Sequence, residues 1–159
     1  MQAKRGFTLV EILIVVVILG ILAAIVIPQF TQASTEAKTN SLCSDLQTLR
    51  SQIELYKCQH NDVAPSDDPN DFVDQMVYCT DEDGATAGTP SKVRDTTYRF
   101  GPYLERVPEN PFNGLSAIDN TGTVGDGVGG WEYDGTTGEI HADDDTDADS
   151  DDVADHMTL

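Results

Sequence analysis

The feature that most constrains this chain of 159 residues is an apolar run near its start. From Phe7 to Ile27 the only clearly polar side chains are Thr8 and Glu11. Because a helix rises about 1.5 Å per residue, this run forms a helix about 30 Å long, which matches the hydrocarbon thickness of a bilayer. The sequence therefore predicts a membrane-spanning helix over residues 7–28.

Basic residues lie on one side of this run only. Lys4 and Arg5 precede it, and no Lys or Arg follows until Lys38. By the positive-inside rule, the amino terminus is expected in the cytoplasm and the bulk of the chain across the membrane. A cleaved signal peptide is the alternative, and the small pair Ala23-Ala24 favours it, but the run is longer than the apolar region of about 7–15 residues found in such peptides.

The two ends of the run carry a specific motif. The stretch Gly6–Ile12 (GFTLVEI), then Gly20, then Ile27–Phe30 (IPQF) resemble the leader and N-terminal helix of type IV pilins and type II secretion pseudopilins. The resemblance implies that residues 1–6 are a leader peptide and that a prepilin peptidase cleaves after Gly6. It also implies that the new amino terminus, at Phe7, is N-methylated.

The same resemblance implies roles for four further residues. Glu11 is expected to pair with the amino terminus of a neighbouring subunit during filament assembly, with Thr8 beside it. A carboxylate within a spanning helix costs roughly 2.5–3.5 kcal/mol, so Glu11 needs either such a cation or a shallow position at the membrane interface. Gly20 and Pro28 match positions between which the helix loosens in filaments. A simple kink is the alternative, because proline lacks an N–H group.

Beyond Pro28 the apolar residues return at helical spacing. They follow one another at intervals of four, three, four and three: Leu42, Leu46, Leu49, Ile53 and Tyr56. This is one stripe of an amphipathic helix, so residues 29–58 are expected to continue the first helix as a single spine. The stripe covers only two heptads without regular charged flanks, which favours packing on the chain's own head over a coiled coil.

Residues 59–142 are expected to form one small globular head. Asp68 followed by Pro69 is typical of an N-cap and first helical position, and predicts a short helix to Tyr78. The segments Trp131–Asp134 and Glu139–Ala142 alternate on either side of a four-residue turn, which predicts an antiparallel hairpin packed on the stripe. The glycine-rich segment 125–130 is expected to be a flexible turn. The predicted fold class is α+β and pilin-like.

Three cysteines are too few for a disulfide scaffold. Cys43 and Cys58 lie fifteen residues apart on one helix, about 22 Å, which exceeds the limit of roughly 7 Å between bridged Cα atoms. Cys58 and Cys79 are the candidates for a disulfide that joins the short helix to the spine. The alternative is that all three are small buried thiols.

The chain has a net charge of −19, and eight of its 28 acidic residues lie in an acidic tail, residues 143–159. Asp147, Asp149, Asp151 and Asp155 occupy positions 1, 3, 5 and 9 of a short run, an arrangement that suits calcium. The run resembles extracellular calcium repeats, with Asp152 in place of the usual glycine, and more loosely the calcium-stabilised C-terminal loop of major pseudopilins. A solvated acidic tail and adaptation to high salt are the alternatives. Calcium is the only cofactor that the sequence indicates, and nucleic acid is not an expected partner.

No catalytic set is evident in the sequence. His60, His141 and His156 are scattered and expected to be solvated, and no Ser or Cys lies in a nucleophile context, so the chain is not expected to be an enzyme.

Parts of the head, within 103–113 and 130–140, resemble the head of major pseudopilins of type II secretion. This implies a structural subunit of an inner-membrane and periplasmic filament. Its expected partners are identical subunits, minor pilins or pseudopilins, the prepilin peptidase, an inner-membrane assembly platform and, before assembly, lipid. The alternatives are the major pilin of a type IV pilus at the cell surface, and a monomeric, membrane-anchored calcium-binding protein.

Overall fold

The computed structural model describes residues 8–123 and 127–143. Within these ranges the elements are two helices and three strands: α1 (Leu9–Gln59), α2 (Pro69–Val77), β1 (Ile118–Asp119), β2 (Trp131–Asp134) and β3 (Glu139–Ala142). The predicted α+β, pilin-like fold class is confirmed. Contacts between residues divide the chain into two units, Met1–Ala37 and Lys38–Leu159, and α1 contributes to both.

In the first unit, α1 exposes its large apolar side chains. Ile14, Val17 and Ile25 are 53%, 52% and 55% exposed, and none of the described residues of this unit is buried. By length and composition, α1 is able to cross a membrane. The predicted apolar helix is therefore present, and none of the residues in 8–123 and 127–143 covers its surface.

In the second unit, the predicted stripe of α1 forms the centre of the core. All five of its members are at most 2% exposed: Leu42, Leu46, Leu49, Ile53 and Tyr56. The helix ends at Gln59, close to the predicted end. Helical periodicity alone was thus sufficient to identify which face of this part of α1 is buried.

The second helix begins as its sequence predicts. The Asp68 side chain accepts hydrogen bonds from the N–H groups of Asn70 and Asp71 at 2.9 and 3.4 Å, and Pro69 occupies the first turn. Asp68 thereby satisfies N–H groups that have no partner inside the helix. The buried face of α2 includes Phe72, whose ring lies 4.4 Å from that of Tyr133. This contact packs α2 against the sheet.

The predicted hairpin is confirmed, and a third strand extends it. Strands β2 and β3 are antiparallel, with Trp131 opposite Ala142 and Tyr133 opposite Ile140, and all four side chains are buried. Strand β1 pairs in parallel with β2 and was not predicted, because two residues carry no periodicity. The resulting sheet has the order β1-β2-β3.

His60 is buried, so the expectation that the scattered histidines are solvated is wrong for this residue. It is 2% exposed and its ring stacks on Tyr56 with centroids 3.9 Å apart. Nδ1 lies 2.9 Å from the Tyr56 carbonyl, and Nε2 lies 3.0 Å from the Thr80 hydroxyl. These contacts attach the end of α1 to the segment that follows α2.

A close approach between Gly84 and Tyr56 generates a first prediction. Gly84 has φ +82°, and a Cβ added there would lie 2.3 Å from Tyr56 Oη. Because the Tyr56 ring is buried and stacked, it cannot move aside. We expect Gly84→Ala to lower the free energy of unfolding by roughly 2–4 kcal/mol, through backbone strain and overpacking.

Urea unfolding followed by the fluorescence of the single tryptophan, Trp131, measures this loss. Gly88→Ala is the matched control, because a Cβ at Gly88 meets nothing within 4 Å. We expect that variant to stay within about 0.5 kcal/mol of wild type. Equal effects of the two substitutions would contradict the close packing of Tyr56 against Gly84.

The hairpin turn generates a prediction of pH dependence. Asp134 Oδ1 accepts hydrogen bonds from the N–H groups of Thr136 and Thr137 at 2.8 and 3.3 Å. The bond from the Thr136 backbone is the largest cause that lowers the pKa of Asp134 below its ordinary value. A lowered pKa in the folded state means that the ionised carboxylate stabilises the fold at neutral pH, and that this stabilisation is lost as pH falls through the folded pKa.

We therefore expect Asp134→Ala to be less stable than wild type at pH 7, and the difference to shrink as the pH falls below about 4. Urea midpoints measured between pH 7 and pH 3 test this. Asp134→Asn keeps an acceptor oxygen without the charge, so its difference from wild type isolates the charge-dependent part. A pH-independent gap between Asp134→Ala and wild type would contradict the role of the carboxylate.

Candidate functional site

Thr8 and Glu11 form a reciprocal pair at the start of α1. Glu11 Oε2 accepts hydrogen bonds from the Thr8 N–H and the Thr8 hydroxyl at 2.8 and 2.9 Å. In return, the Glu11 N–H donates to Thr8 Oγ1 at 3.3 Å. This is the capping box of a Thr-x-x-Glu sequence, in which each residue satisfies a free N–H of the other at the first turn. The two polar residues of the apolar run are thus brought together.

The geometry leaves part of the Glu11 carboxylate accessible. Glu11 is exposed, and no described residue donates a hydrogen bond to its Oε1. An ionised carboxylate has about four acceptor positions, of which the Thr8 groups occupy two. Beside the pair lies a shallow apolar depression, lined by Thr8, Leu9, Ile12, Leu13 and Val16. The arrangement can accept a cation at the edge of an apolar surface.

The residues expected to be processed, Gly6 and Phe7, lie outside the described residues, as do Lys4 and Arg5. Cleavage after Gly6 and N-methylation of Phe7 therefore stay predictions. The capping box nevertheless begins at Thr8, the residue after the predicted new amino terminus. Removal of residues 1–6 would therefore leave both partners of the box in place.

Gly20 and Pro28 lie within one continuous helix in this structure. Proline has no N–H to donate to the carbonyl four residues earlier, so one hydrogen bond of the ladder is lost at Pro28. One and two turns later, the hydroxyls of Thr31 and Thr35 donate to the carbonyls of Ile27 and Thr31, both at 3.2 Å. Such bonds compete with the backbone ladder and bend helices. Loosening between Gly20 and Pro28 in a filament stays a prediction.

The predicted disulfide between Cys58 and Cys79 is not formed in the structure. All three cysteines are free thiols, with Cys43 half-buried, Cys58 exposed and Cys79 buried. The physical reason is the orientation of α1. Cys58 follows Tyr56 by two residues, about 200° around the helix, so it lies on the side opposite the buried stripe. The alternative of three buried thiols is also wrong, because Cys58 is exposed.

The four aspartates expected to bind calcium, Asp147, Asp149, Asp151 and Asp155, lie outside the described residues, so calcium binding stays a prediction. In residues 8–123 and 127–143, no group of three or more His, Cys, Asp or Glu side chains is arranged to hold a metal ion. His141 Nε2 lies 3.9 Å from Glu139 Oε2.

Two buried carboxylates accept hydrogen bonds from backbone N–H groups, and the sequence did not indicate that either would be buried. Asp143, the first residue of the predicted acidic tail, is fully buried and accepts a hydrogen bond from the Gly129 N–H at 3.0 Å. Glu132 is 4% exposed, and its Oε1 accepts from the Gly122 N–H at 2.5 Å. Strand alternation predicts an exposed Glu132, and only the segment folded over it explains its burial.

Asn113 completes the attachment of this segment. Its Nδ2 group donates to the carbonyl oxygens of Gly129 and Asp143 at 2.8 and 2.7 Å. The end of the glycine-rich segment, expected to be a flexible turn, is therefore fixed by side-chain hydrogen bonds where the structure describes it. A signal was present in the sequence, because Asn and Asp beside glycines commonly bind backbone groups in turns.

Comparison with known proteins places the amino-terminal motif and most of the chain in one family. Residues 1–27 match the family model described as the prokaryotic N-terminal methylation motif. The type II secretion system core protein G of Klebsiella pneumoniae is 34% identical over 115 residues, which cover 70% of this chain and 71% of that protein. No solved structure matches the chain.

Two further relatives carry the same description. The core protein G of Vibrio cholerae is 32% identical over 114 residues, covering 70% of this chain and 68% of that protein. The core protein G of Pseudomonas aeruginosa is 29% identical over 130 residues, covering 78% of this chain and 79% of that protein. The matches extend far beyond the methylation motif and into the second unit. The chain therefore belongs to the type II secretion system core protein G family.

Proposed function

We propose that this chain is the major pseudopilin of a type II protein secretion system, a filament-forming structural subunit rather than an enzyme. The observation that carries the proposal is the combination of the methylation motif with similarity to core protein G over 70% of the chain. The described site supports it, since Thr8 and Glu11 lie at the start of an apolar helix. The Thr8 groups hold the Glu11 carboxylate in place, so it is available to a neighbouring subunit where the apolar helices pack together.

Before assembly the subunit is stored in the inner membrane as a single-pass protein. Lys4 and Arg5 hold the amino terminus in the cytoplasm, and the second unit lies in the periplasm. The exposed apolar surface of α1 supports this topology, because lipid would cover it. Neighbouring helices replace lipid in the filament, so burial alone contributes little net free energy, and close packing must supply the drive.

Glu11 gives this assembly its register. The prepilin peptidase exposes an amino group at Phe7, and that group on one subunit meets the open Oε1 of Glu11 on the next. Because the surroundings are apolar, an unpaired Glu11 would be costly there, and correct pairing removes the cost. The Thr8 groups already occupy Oε2 at 2.8 and 2.9 Å, so the carboxylate is held in one orientation before the neighbour arrives.

The other partners follow from the same proposal. Identical subunits form the filament, minor pseudopilins join it, and an inner-membrane assembly platform inserts new subunits. The major pilin of a type IV pilus is the nearest alternative, and the relatives described as core protein G favour secretion over it. The monomeric, membrane-anchored calcium-binding protein is the alternative from a different class.

The mass of the intact protein isolated from its native membrane distinguishes assembly subunit from anchored monomer. We expect a chain that begins at Phe7 and carries one additional methyl group, because residues 1–27 match the prokaryotic N-terminal methylation motif. A chain that retains Met1 to Gly6 would contradict the proposal and favour the anchored monomer. A chain that begins after Ala24 would identify the apolar run as a signal peptide.

The role of Glu11 is tested by Glu11→Ala in the full-length protein. Loss of a charge pair in an apolar contact costs roughly 2–5 kcal/mol, so we expect filament yield in sheared fractions to fall at least tenfold. Glu36→Ala is the matched control, since Glu36 is exposed on the same helix. We expect its yield to stay within about twofold of wild type. Normal yield with Glu11→Ala would refute the pairing.

A further inference from the structure

Almost every cation that the structure describes is used inside the chain. The nine Lys and Arg residues less Lys4 and Arg5 leave seven in the described ranges. Three of them pair with carboxylates: Lys57 with Glu54, Lys92 with Glu105 and Arg99 with Glu82. Three others contact carbonyls or a ring: Arg50 at Ile140, Arg94 at Gly101 and Lys38 over Phe112. Arg106 remains.

Arg106 is exposed, and it forms no hydrogen bond, ion pair or ring contact with any described residue. It borders an open depression on the second unit, whose other lining residues are Val73, Val77, Val107, Glu109 and Ser116. Val77 and Val107, each 8% exposed, contribute its apolar part. Glu109 lies in the same depression but does not form an ion pair with Arg106. A guanidinium beside an apolar surface is a typical anchor in protein contacts.

The charge of the chain indicates what such an anchor would bind. The protein carries 28 Asp and Glu against nine Lys and Arg, so copies of it repel one another. Where identical copies approach, a free guanidinium meets a carboxylate more often than any other charged group. The planar guanidinium binds a carboxylate through two parallel hydrogen bonds, which fixes orientation as well as distance.

We propose that the Arg106 depression is a contact between subunits, in which Arg106 binds a carboxylate of a second copy of this chain. The inference rests on the proposed filament function. The contact is heterologous, because the depression of one copy faces a different surface of the next, and such contacts propagate into filaments. Valine side chains beside the ion pair exclude water and so strengthen it relative to an exposed pair.

Site-specific photo-cross-linking in the native host tests the contact directly. A benzophenone amino acid replaces Ser116, and in a second variant Glu109, in the full-length protein. We expect an adduct of twice the subunit mass, whose linked peptide comes from a second copy. Arg106→Gln should reduce this adduct at least fivefold, whereas Arg99→Gln, which removes the same charge from another exposed arginine, should leave it within twofold. Arg106→Lys should restore it in part.

Three results would overturn the inference: an adduct with a different protein, an internal link to residues 144–159 of the same chain, or equal adduct from Arg106→Gln and wild type. The filament yield and the intact mass of the wild-type protein are measured in parallel. Filaments of processed subunits without a self-adduct refute the Arg106 contact alone. A self-adduct from unprocessed subunits without filaments refutes the proposed function and keeps the contact between copies.

Discussion

An apolar helix surface that its own chain leaves uncovered must be covered by lipid or by another protein. The first unit of this chain presents such a surface along α1, with large aliphatic side chains about half exposed. No other described residue of the unit covers them. Membrane storage and filament assembly are the two environments that satisfy this constraint, and a subunit that moves between them must be similarly stable in both. The assembly chemistry is therefore left to a few polar groups.

In the second unit the apolar surface of α1 is covered. The helix provides one apolar stripe there, and the other elements of the unit pack on it. Leu42, Leu46 and Ile53 are buried among α2, the sheet and the segment that precedes it. The polar tips of two core aromatics are satisfied by backbone carbonyls, as Trp131 Nε1 and Tyr133 Oη donate to Pro108 and Pro65 at 2.9 and 3.0 Å. Irregular segments with prolines thus supply acceptors that a regular element would use internally.

The sequence predicted those parts of the fold that depend on neighbours in the chain. The stripe of α1, the Asp68 cap and the hairpin of β2 and β3 follow from periodicity and turn residues, which act over a few positions. Strand β1 and the burial of His60 and Glu132 depend on segments that are distant in sequence. Gly122 reaches Glu132, and Thr80 reaches His60, only after the chain has folded.

The candidate site shows the same division. The resemblance to pilins identified the leader motif and Glu11. The reciprocal bonds between Thr8 and Glu11 have a local origin, because the Thr-x-x-Glu sequence of residues 8–11 is a capping-box pattern. The predicted disulfide between Cys58 and Cys79 is not formed, because the packed face of α1 determines which of its side chains are buried and Cys58 lies on the other face. A two-residue shift from Tyr56 moves a side chain from the core to solvent.

Charge sets the remaining constraint on assembly, and it acts over two distances. Repulsion among subunits of net charge −19 extends over roughly a Debye length, about 8 Å at physiological salt, and weakens as salt rises. The pairs proposed at Glu11 and Arg106 would act in contact and beside apolar side chains, where salt screens them less. Added salt therefore removes more of the repulsion than of the attraction. An acidic subunit with few cations can assemble in this way only if those cations are positioned at the contacts. Among the described residues, Arg106 is the arginine that the fold leaves available for such a contact.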